Sequence, residues 1–79
     1  MSFYVYILLS SKTNKYYCGQ TNNIELRLAK HNNGEVKSTK HGAPWNLIKF
    51  LLLGSRTESM NLEKVIKGRG IERWLQENH

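Results

Sequence analysis

The sequence has one cysteine and no long apolar run, each of which excludes a class of protein, and its single proline, with no Pro- or Ser-rich run, leaves no linker visible. A lone Cys18 cannot form an internal disulfide, and without a CxxC or HxxxH spacing it does not predict a structural zinc site. This cysteine usage favours the reducing cytosol, so we expect a cytoplasmic protein. The longest apolar stretch, residues 47–53, includes Lys49 and is too short to span a bilayer, so no membrane association is predicted. No secretory signal is predicted at the N-terminus either.

The charge of the chain is its most informative bulk property. Among 79 residues, 12 Lys and Arg oppose 6 Asp and Glu, giving a net charge of +6 and a pI near 9.7. A chain of this length predicts a single domain, residues 1–79, with a modest core. A surface this basic attracts polyanions, so nucleic acid is favoured over ordinary solubility charge as the explanation.

The first half of the chain predicts a hairpin followed by a helix. Residues 3–9 are aromatic and β-branched and predict a strand, and residues 15–20 predict a second one. The short polar connection between them favours an antiparallel hairpin. Residues 23–33 show helical spacing after the capping segment Thr21–Asn23, and Gly34 stands where helices commonly end.

The second half predicts a third strand and two helices. Residues 35–46 predict a polar loop, and residues 47–53 predict a largely buried strand. Ser55 and Glu58 have capping-box spacing, and the helix that they open has the apolar face Leu62, Val65 and Ile66. Gly68 and Gly70 are expected to break that helix before an amphipathic stretch that begins at residue 71. The order β-β-α-β-α-α predicts a mixed α/β (α+β) domain with a small three-stranded antiparallel sheet flanked by helices.

Several side chains are candidates for chemistry, although each has an ordinary alternative. Tyr6 and Tyr17 could share one face of the sheet, or be half-buried strand tyrosines. Arg27 and His31 are one helical turn apart, which also suits a solvated face. Glu63 adjoins the apolar stripe of its helix, so it either needs a partner such as a metal or pairs with a lysine one turn later.

Four segments in order carry a family resemblance: Tyr4–Tyr6, Tyr17–Thr21, Asn23–Asn32 and Thr57–Lys67. They resemble the ordered motifs of the GIY-YIG nuclease superfamily, which includes the N-terminal nuclease domain of the UvrC repair protein. The similarity is greatest to the short single-domain UPF0213 (YhbQ-like) group and covers nearly the whole chain. It implies a metal-dependent endonuclease that hydrolyses phosphodiester bonds, with DNA as the expected substrate and DNA repair or recombination as the expected setting.

The resemblance also implies roles for particular residues. Tyr6 stands at the GIY tyrosine, the expected general base or water-positioning group, and Tyr17 stands at the YIG tyrosine. Arg27 matches the helix arginine that stabilises phosphate charge, and His31 matches a Tyr or His position one turn later. Glu63 matches the glutamate that binds Mg²⁺ or Mn²⁺. For Tyr6 to act as a base at neutral pH, neighbouring cations must lower its pKa from about 10.

The chain departs from the family pattern in places that affect substrate contacts. Gln20 replaces a lysine of some relatives, and Lys37-Ser38-Thr39 stands where relatives often have Lys-Tyr-Thr. The expected phosphate contacts are basic residues of the hairpin, the loop and the second helix: Lys15, Lys37, Lys40, His41, Lys67 and Arg69. For any one of these, a solvated basic surface is an equal alternative.

Three functions remain open from the sequence. The first is the nuclease, and the second is a nucleic-acid-binding module of the same fold that does not cut. The third is a small structural or interaction domain with residual basic charge. The motif residues favour the nuclease, and Glu63 has no evident purpose in a pure binder. A domain this small would bind weakly, so a partner protein is an expected source of targeting.

Overall fold

The computed structural model describes residues 2–78, and its elements follow the predicted order β-β-α-β-α-α. The strands are β1 (Phe3–Ser10), β2 (Tyr16–Thr21) and β3 (Trp45–Leu53). The helices are α1 (Ile24–Asn32), α2 (Arg56–Arg69) and α3 (Ile71–Glu77), and a short 3₁₀ turn covers Lys40–Gly42. Within residues 2–78, no helix has the length and apolar character needed to cross a membrane.

The three strands form one antiparallel sheet in the order β2-β1-β3, which confirms the predicted fold class. β1 is the central strand, and its residues Val5 to Leu8 are all buried because both faces of the sheet are covered there. Side chains alternate along a strand, so β1 supplies two separate cores. Its residue Tyr6 lies opposite Gly19 of β2 and opposite Phe50 of β3.

One core lies between the sheet and helices α2 and α3. It consists of Val5, Ile7, Cys18, Ile66 and Trp74. The other core lies on the opposite face, where α1 packs: it contains Tyr6, Leu8 and Trp45, with Tyr17, Ile24 and Leu28 partly buried against them. Tyr6 and Tyr17 therefore share a face of the sheet, as strand alternation predicted.

The helix ends follow the capping signals in the sequence. The Asn23 side chain accepts a hydrogen bond from the backbone N–H of Leu26 at 3.1 Å, which starts α1. Gly34, just beyond α1, has a φ of +76°, a conformation that favours glycine. Ser55 caps α2 by accepting from the backbone N–H of Glu58 at 3.1 Å, and Gly70, with a φ of +95°, ends α2.

Three expectations about the second half were wrong. The third strand begins at Trp45 and is not largely buried: Ile48, Phe50 and Leu52 are 46%, 55% and 64% exposed. This strand lies at the sheet edge, where α1 covers only part of its face.

Val65 is 58% exposed, since α2 packs through Leu62 and Ile66 instead. Gly68 does not break α2 but lies inside it, so Gly70 alone ends the helix.

Candidate active site

The site is built around Tyr6, whose ring lies across the backbone of the neighbouring strand. Its side chain is only 2% exposed. A Cβ added at Gly19 would lie 2.6 Å from the Tyr6 hydroxyl oxygen and 2.8 Å from Cζ. Glycine at this position therefore makes room for the phenol. The group that approaches Gly19 most closely is the phenol of Tyr6.

Helix α1 brings Arg27 and His31 to the Tyr6 hydroxyl. Their spacing of one turn places both on the helix face that packs on the sheet. The Tyr6 oxygen lies 2.8 Å from Nε2 of His31, and Arg27 donates from Nε to the same oxygen at 3.4 Å. His31 is fully buried, so the solvated face considered for this pair is wrong for the histidine. A single phenol oxygen thus contacts a cation and an imidazole.

Tyr17 completes the cluster from the edge strand. Its ring centroid lies 5.0 Å from that of His31 and 6.3 Å from that of Tyr6. On another side it packs edge-on against Trp45 at 6.2 Å. The structure therefore brings together four predicted site residues, Tyr6, Tyr17, Arg27 and His31.

Burial dominates the electrostatics of the phenol. It raises the pKa of Tyr6 to about 12, although the hydrogen bond and charge of Arg27 lower it in part. Arg27 thus lowers this pKa as expected, but burial outweighs it, and Tyr6 is protonated at neutral pH. Burial lowers the pKa of His31, and the Arg27 charge lowers it further, so this imidazole is neutral at the same pH.

Sequence reasoning missed Thr39, which lies in the irregular segment between α1 and β3. It is 2% exposed, and its hydroxyl oxygen lies 2.7 Å from Nδ1 of His31. Its carbonyl accepts from the indole Nε1 of Trp45 at 2.8 Å. The signal that pointed to it was its place in the loop segment that corresponds to Lys-Tyr-Thr of relatives, but nothing in the spacing indicated a contact with His31.

Glu63 lies on α2, which packs against β2 on the sheet face opposite α1. Its carboxylate pairs with Lys67 at 2.7 Å, and the two side chains are 20% and 51% exposed, respectively. The pairing with a lysine one turn later is confirmed for a side chain that is mostly shielded from solvent, and a metal at Glu63 stays a prediction. Lys67 Nζ lies 5.9 Å from the Tyr17 ring centroid, which links this ion pair to the tyrosine cluster. Burial raises the pKa of Cys18 to about 11, and the negative charge of Glu63 also raises it.

The single carboxylate at Glu63 fits a magnesium or manganese ion that has only one protein ligand. Residues 2–78 contain no cluster of three His, Cys, Asp or Glu side chains suited to a metal. Mg²⁺ commonly binds one or two carboxylates and keeps waters and substrate phosphate oxygens as its other ligands. Glu63 can supply that single carboxylate, provided that Lys67 releases or shares it.

The predicted phosphate contacts lie in separate parts of the fold. Lys15 precedes β2, and Lys37, Lys40 and His41 lie on the loop before β3; all four are exposed. Lys67 belongs to the Glu63 ion pair. Arg69 donates from Nε and a terminal nitrogen to the carboxylate of Glu77, at 2.8 and 2.6 Å, so that carboxylate competes with any phosphate for it.

The sequence profile of the GIY-YIG catalytic domain matches residues 2–71. The chain belongs to the GIY-YIG family. A UPF0213 protein of Staphylococcus haemolyticus is 42% identical over 65 residues, covering 81% of this chain and 78% of its own length. A UPF0213 protein of Clostridium perfringens is 40% identical over 65 residues, covering 81% and 69%.

A solved structure agrees with these sequence matches. The solution structure of the UPF0213 protein BH0048 from Bacillus halodurans superposes with a TM-score of 0.60 at 30% identity. The alignment covers 96% of this chain and 81% of that one. This GIY-YIG domain is therefore a member of a nuclease family and of its UPF0213 group, and both were expected from the four motif segments.

Proposed function

We propose that this GIY-YIG domain is a metal-dependent endonuclease that hydrolyses phosphodiester bonds in DNA. The observation that carries the proposal is the chain of contacts from the partly buried Arg27 through the Tyr6 hydroxyl to the buried His31. A cation, a phenol and a neutral imidazole meeting at one oxygen form a route for a proton beside a phosphate-binding group. A purely structural core would bury apolar side chains in the same space at less cost.

Arg27 would hold the scissile phosphate. Its Nε donates to Tyr6, and its terminal nitrogens would donate to phosphate oxygens. The bond to Tyr6 raises the pKa of Arg27 further, so the side chain keeps its charge throughout. Charge that develops on the phosphate during attack by water would be stabilised by this fixed, fork-shaped cation.

Tyr6 and His31 would remove the proton from the attacking water together. With a pKa of about 12, Tyr6 does not wait as a phenolate. Its hydroxyl can instead take the water proton while giving its own proton to Nε2 of His31, 2.8 Å away. The neutral imidazole is the group able to accept it. Tyr17, packed against both rings, would hold them in place.

Glu63 would be the protein ligand of the metal. The chemistry that Mg²⁺ or Mn²⁺ would supply at Glu63 is that of a Lewis acid at the leaving oxygen. Before substrate arrives, the Glu63 carboxylate is paired with the Lys67 ammonium group. Loop residues Lys37, Lys40 and His41 would contact the DNA phosphate backbone away from the cleavage site. A partner protein would direct the domain to its target.

The test is cleavage of labelled single-stranded, duplex and branched DNA and of RNA with Mg²⁺ or Mn²⁺. Wild type is compared with Glu63→Gln, which keeps the size of the side chain and removes its charge. We expect metal-dependent cutting of DNA by the wild type and loss of cutting in the variant. Cutting of RNA alone would overturn the proposal that DNA is the substrate. Equal cutting by both proteins would overturn the proposal that Glu63 is the metal ligand.

The ion pair at Glu63 also favours a second candidate, a GIY-YIG domain that binds nucleic acid without cutting it. A carboxylate already neutralised by Lys67 has a structural reason to exist without metal. In that case no substrate is cut under any metal condition. Binding remains salt-sensitive and is unaffected by Glu63→Gln, and filter binding over a range of salt concentrations measures both properties.

A further inference from the structure

We propose that Thr39 is a positioning residue that fixes the tautomer of His31, leaving Nε2 free to accept the proton of Tyr6. This inference rests on the proposed nuclease function for its importance, but its geometric basis is independent of any substrate. It follows from the direction of each hydrogen bond in the chain that runs from Arg27 through the buried Tyr6, His31 and Thr39 to Val36.

At the Arg27 end of the chain, the direction of the hydrogen bonds is set by a group that can only donate. Arg27 Nε–H points to the Tyr6 oxygen, so that oxygen accepts there. The hydroxyl proton of Tyr6 is then free to go to His31 Nε2, at 2.8 Å. An imidazole nitrogen that accepts carries no proton of its own, so a neutral His31 carries its proton on Nδ1.

The other end of the chain is set by a group that can only accept. His31 Nδ1–H donates to the Thr39 hydroxyl oxygen at 2.7 Å, and the hydroxyl donates in turn to the carbonyl of Val36 at 3.4 Å. With the opposite direction, Thr39 would donate to Nδ1 and Nε2–H to Tyr6. The phenol proton would then lose its partner in a buried site, which is unfavourable, and the Val36 carbonyl would keep only the bond from the Thr39 backbone N–H.

The backbone holds Thr39 independently of its hydroxyl. Its N–H donates to the Val36 carbonyl at 3.0 Å, and its carbonyl accepts from the Gly42 N–H at 3.0 Å and from the Trp45 indole at 2.8 Å. Removing the hydroxyl therefore leaves the loop fixed in place. Thr39 also stands between Lys37 and Lys40, so the segment with the proposed phosphate contacts is the one that orients the imidazole.

The test compares Thr39→Val, which has nearly the same shape without a hydroxyl, with Thr39→Ser, which keeps the hydroxyl. Long-range ¹H–¹⁵N spectra of the imidazole near neutral pH report which ring nitrogen is protonated. The His31 signals are identified by their loss in His31→Gln. We expect Nδ1–H in the wild type and in Thr39→Ser, and a shift towards Nε2–H in Thr39→Val.

Cleavage gives a second readout. We expect Thr39→Val to lower turnover about 10- to 100-fold, part of the usual contribution of general acid–base catalysis, with KM unchanged and Thr39→Ser near wild type. A wild-type spectrum with Nε2–H, or a Thr39→Val spectrum equal to wild type, would overturn the assignment. The spectra need no substrate, so they decide the tautomer even if the chain cuts no nucleic acid and the proposed function fails.

Discussion

Replacing Gly19 by alanine tests the packing on which the site depends. The new Cβ would lie 2.6 Å from the Tyr6 hydroxyl oxygen, 2.8 Å from Cζ and 3.1 Å from Cε2 of Tyr17. Real Cβ atoms essentially never approach so closely, so the Tyr6 ring must move within a closed core. Overpacking of this kind costs about 1–3 kcal/mol. For a domain of this size, each kcal/mol lowers Tm by about 4–8 °C.

Gly68→Ala is the matched control, because a Cβ there meets nothing within 4 Å. Gly68 lies inside α2, where alanine is favoured over glycine by about 0.5–1 kcal/mol. Thermal unfolding followed by circular dichroism should therefore show Tm falling for Gly19→Ala and rising for Gly68→Ala. Shifts of the same sign, or no loss of stability at Gly19, would refute the close approach of Tyr6 to this strand.

The clash also couples Gly19 to the phenol oxygen. In Tyr6→Phe the atom at 2.6 Å is gone, while Cζ remains at 2.8 Å. The penalty of Gly19→Ala should therefore be smaller in the Tyr6→Phe background than in the wild type, a non-additivity that urea unfolding of the four proteins measures. Strict additivity would show that the alanine is accommodated elsewhere.

Three further predictions concern charge. Lys67→Met should tighten Mn²⁺ binding about 1.4- to 5-fold in calorimetry, since a partly exposed ion pair with Glu63 is worth about 0.2–1 kcal/mol; weaker binding would contradict competition between lysine and metal. Mutating Lys37 and Lys40 together to Gln should reduce the slope of log K against log salt by about 1.4–1.8 if both contact phosphates, and an unchanged slope would remove them from the interface. Because burial lowers the pKa of His31 below 6.5, the unfolded chain is protonated first as pH falls. The stability advantage of wild type over His31→Gln should thus be complete above pH 6.5 and shrink as pH falls towards the folded pKa, and a pH-independent difference in urea unfolding would contradict this.

The sequence predicted those parts of the fold and site that depend on local periodicity. Strand alternation allowed Tyr6 and Tyr17 to share one face, and helical spacing allowed Arg27 and His31 to project together, and the structure shows both arrangements. The sequence did not predict the exposure of Phe50, because an apolar run looks the same whether a strand is central or at the edge of a sheet.

Sequence periodicity did not predict the contacts that are made through irregular segments. Thr39 reaches His31 through a loop whose path is fixed by Trp45 and by turns within residues 35–44. The pKa of Tyr6 depends on how completely the core closes over it, and periodicity does not reveal this. The role that the family resemblance implies for Tyr6 requires neighbouring cations to lower that pKa, and Arg27 does lower it, but burial outweighs the effect.

The most direct test of the account is single-turnover cleavage of labelled DNA by Tyr6→Phe, which removes one oxygen from the centre of the site. Tyr16→Phe is the control, since Tyr16 packs into the core on the opposite face of the sheet. We predict metal-dependent cutting by the wild type and by Tyr16→Phe, and a rate lower by about 10²–10⁴-fold in Tyr6→Phe with DNA binding unchanged. Cutting by Tyr6→Phe at the wild-type rate, or no cutting by the wild type, would contradict the proposal that this phenol carries a proton in phosphodiester hydrolysis.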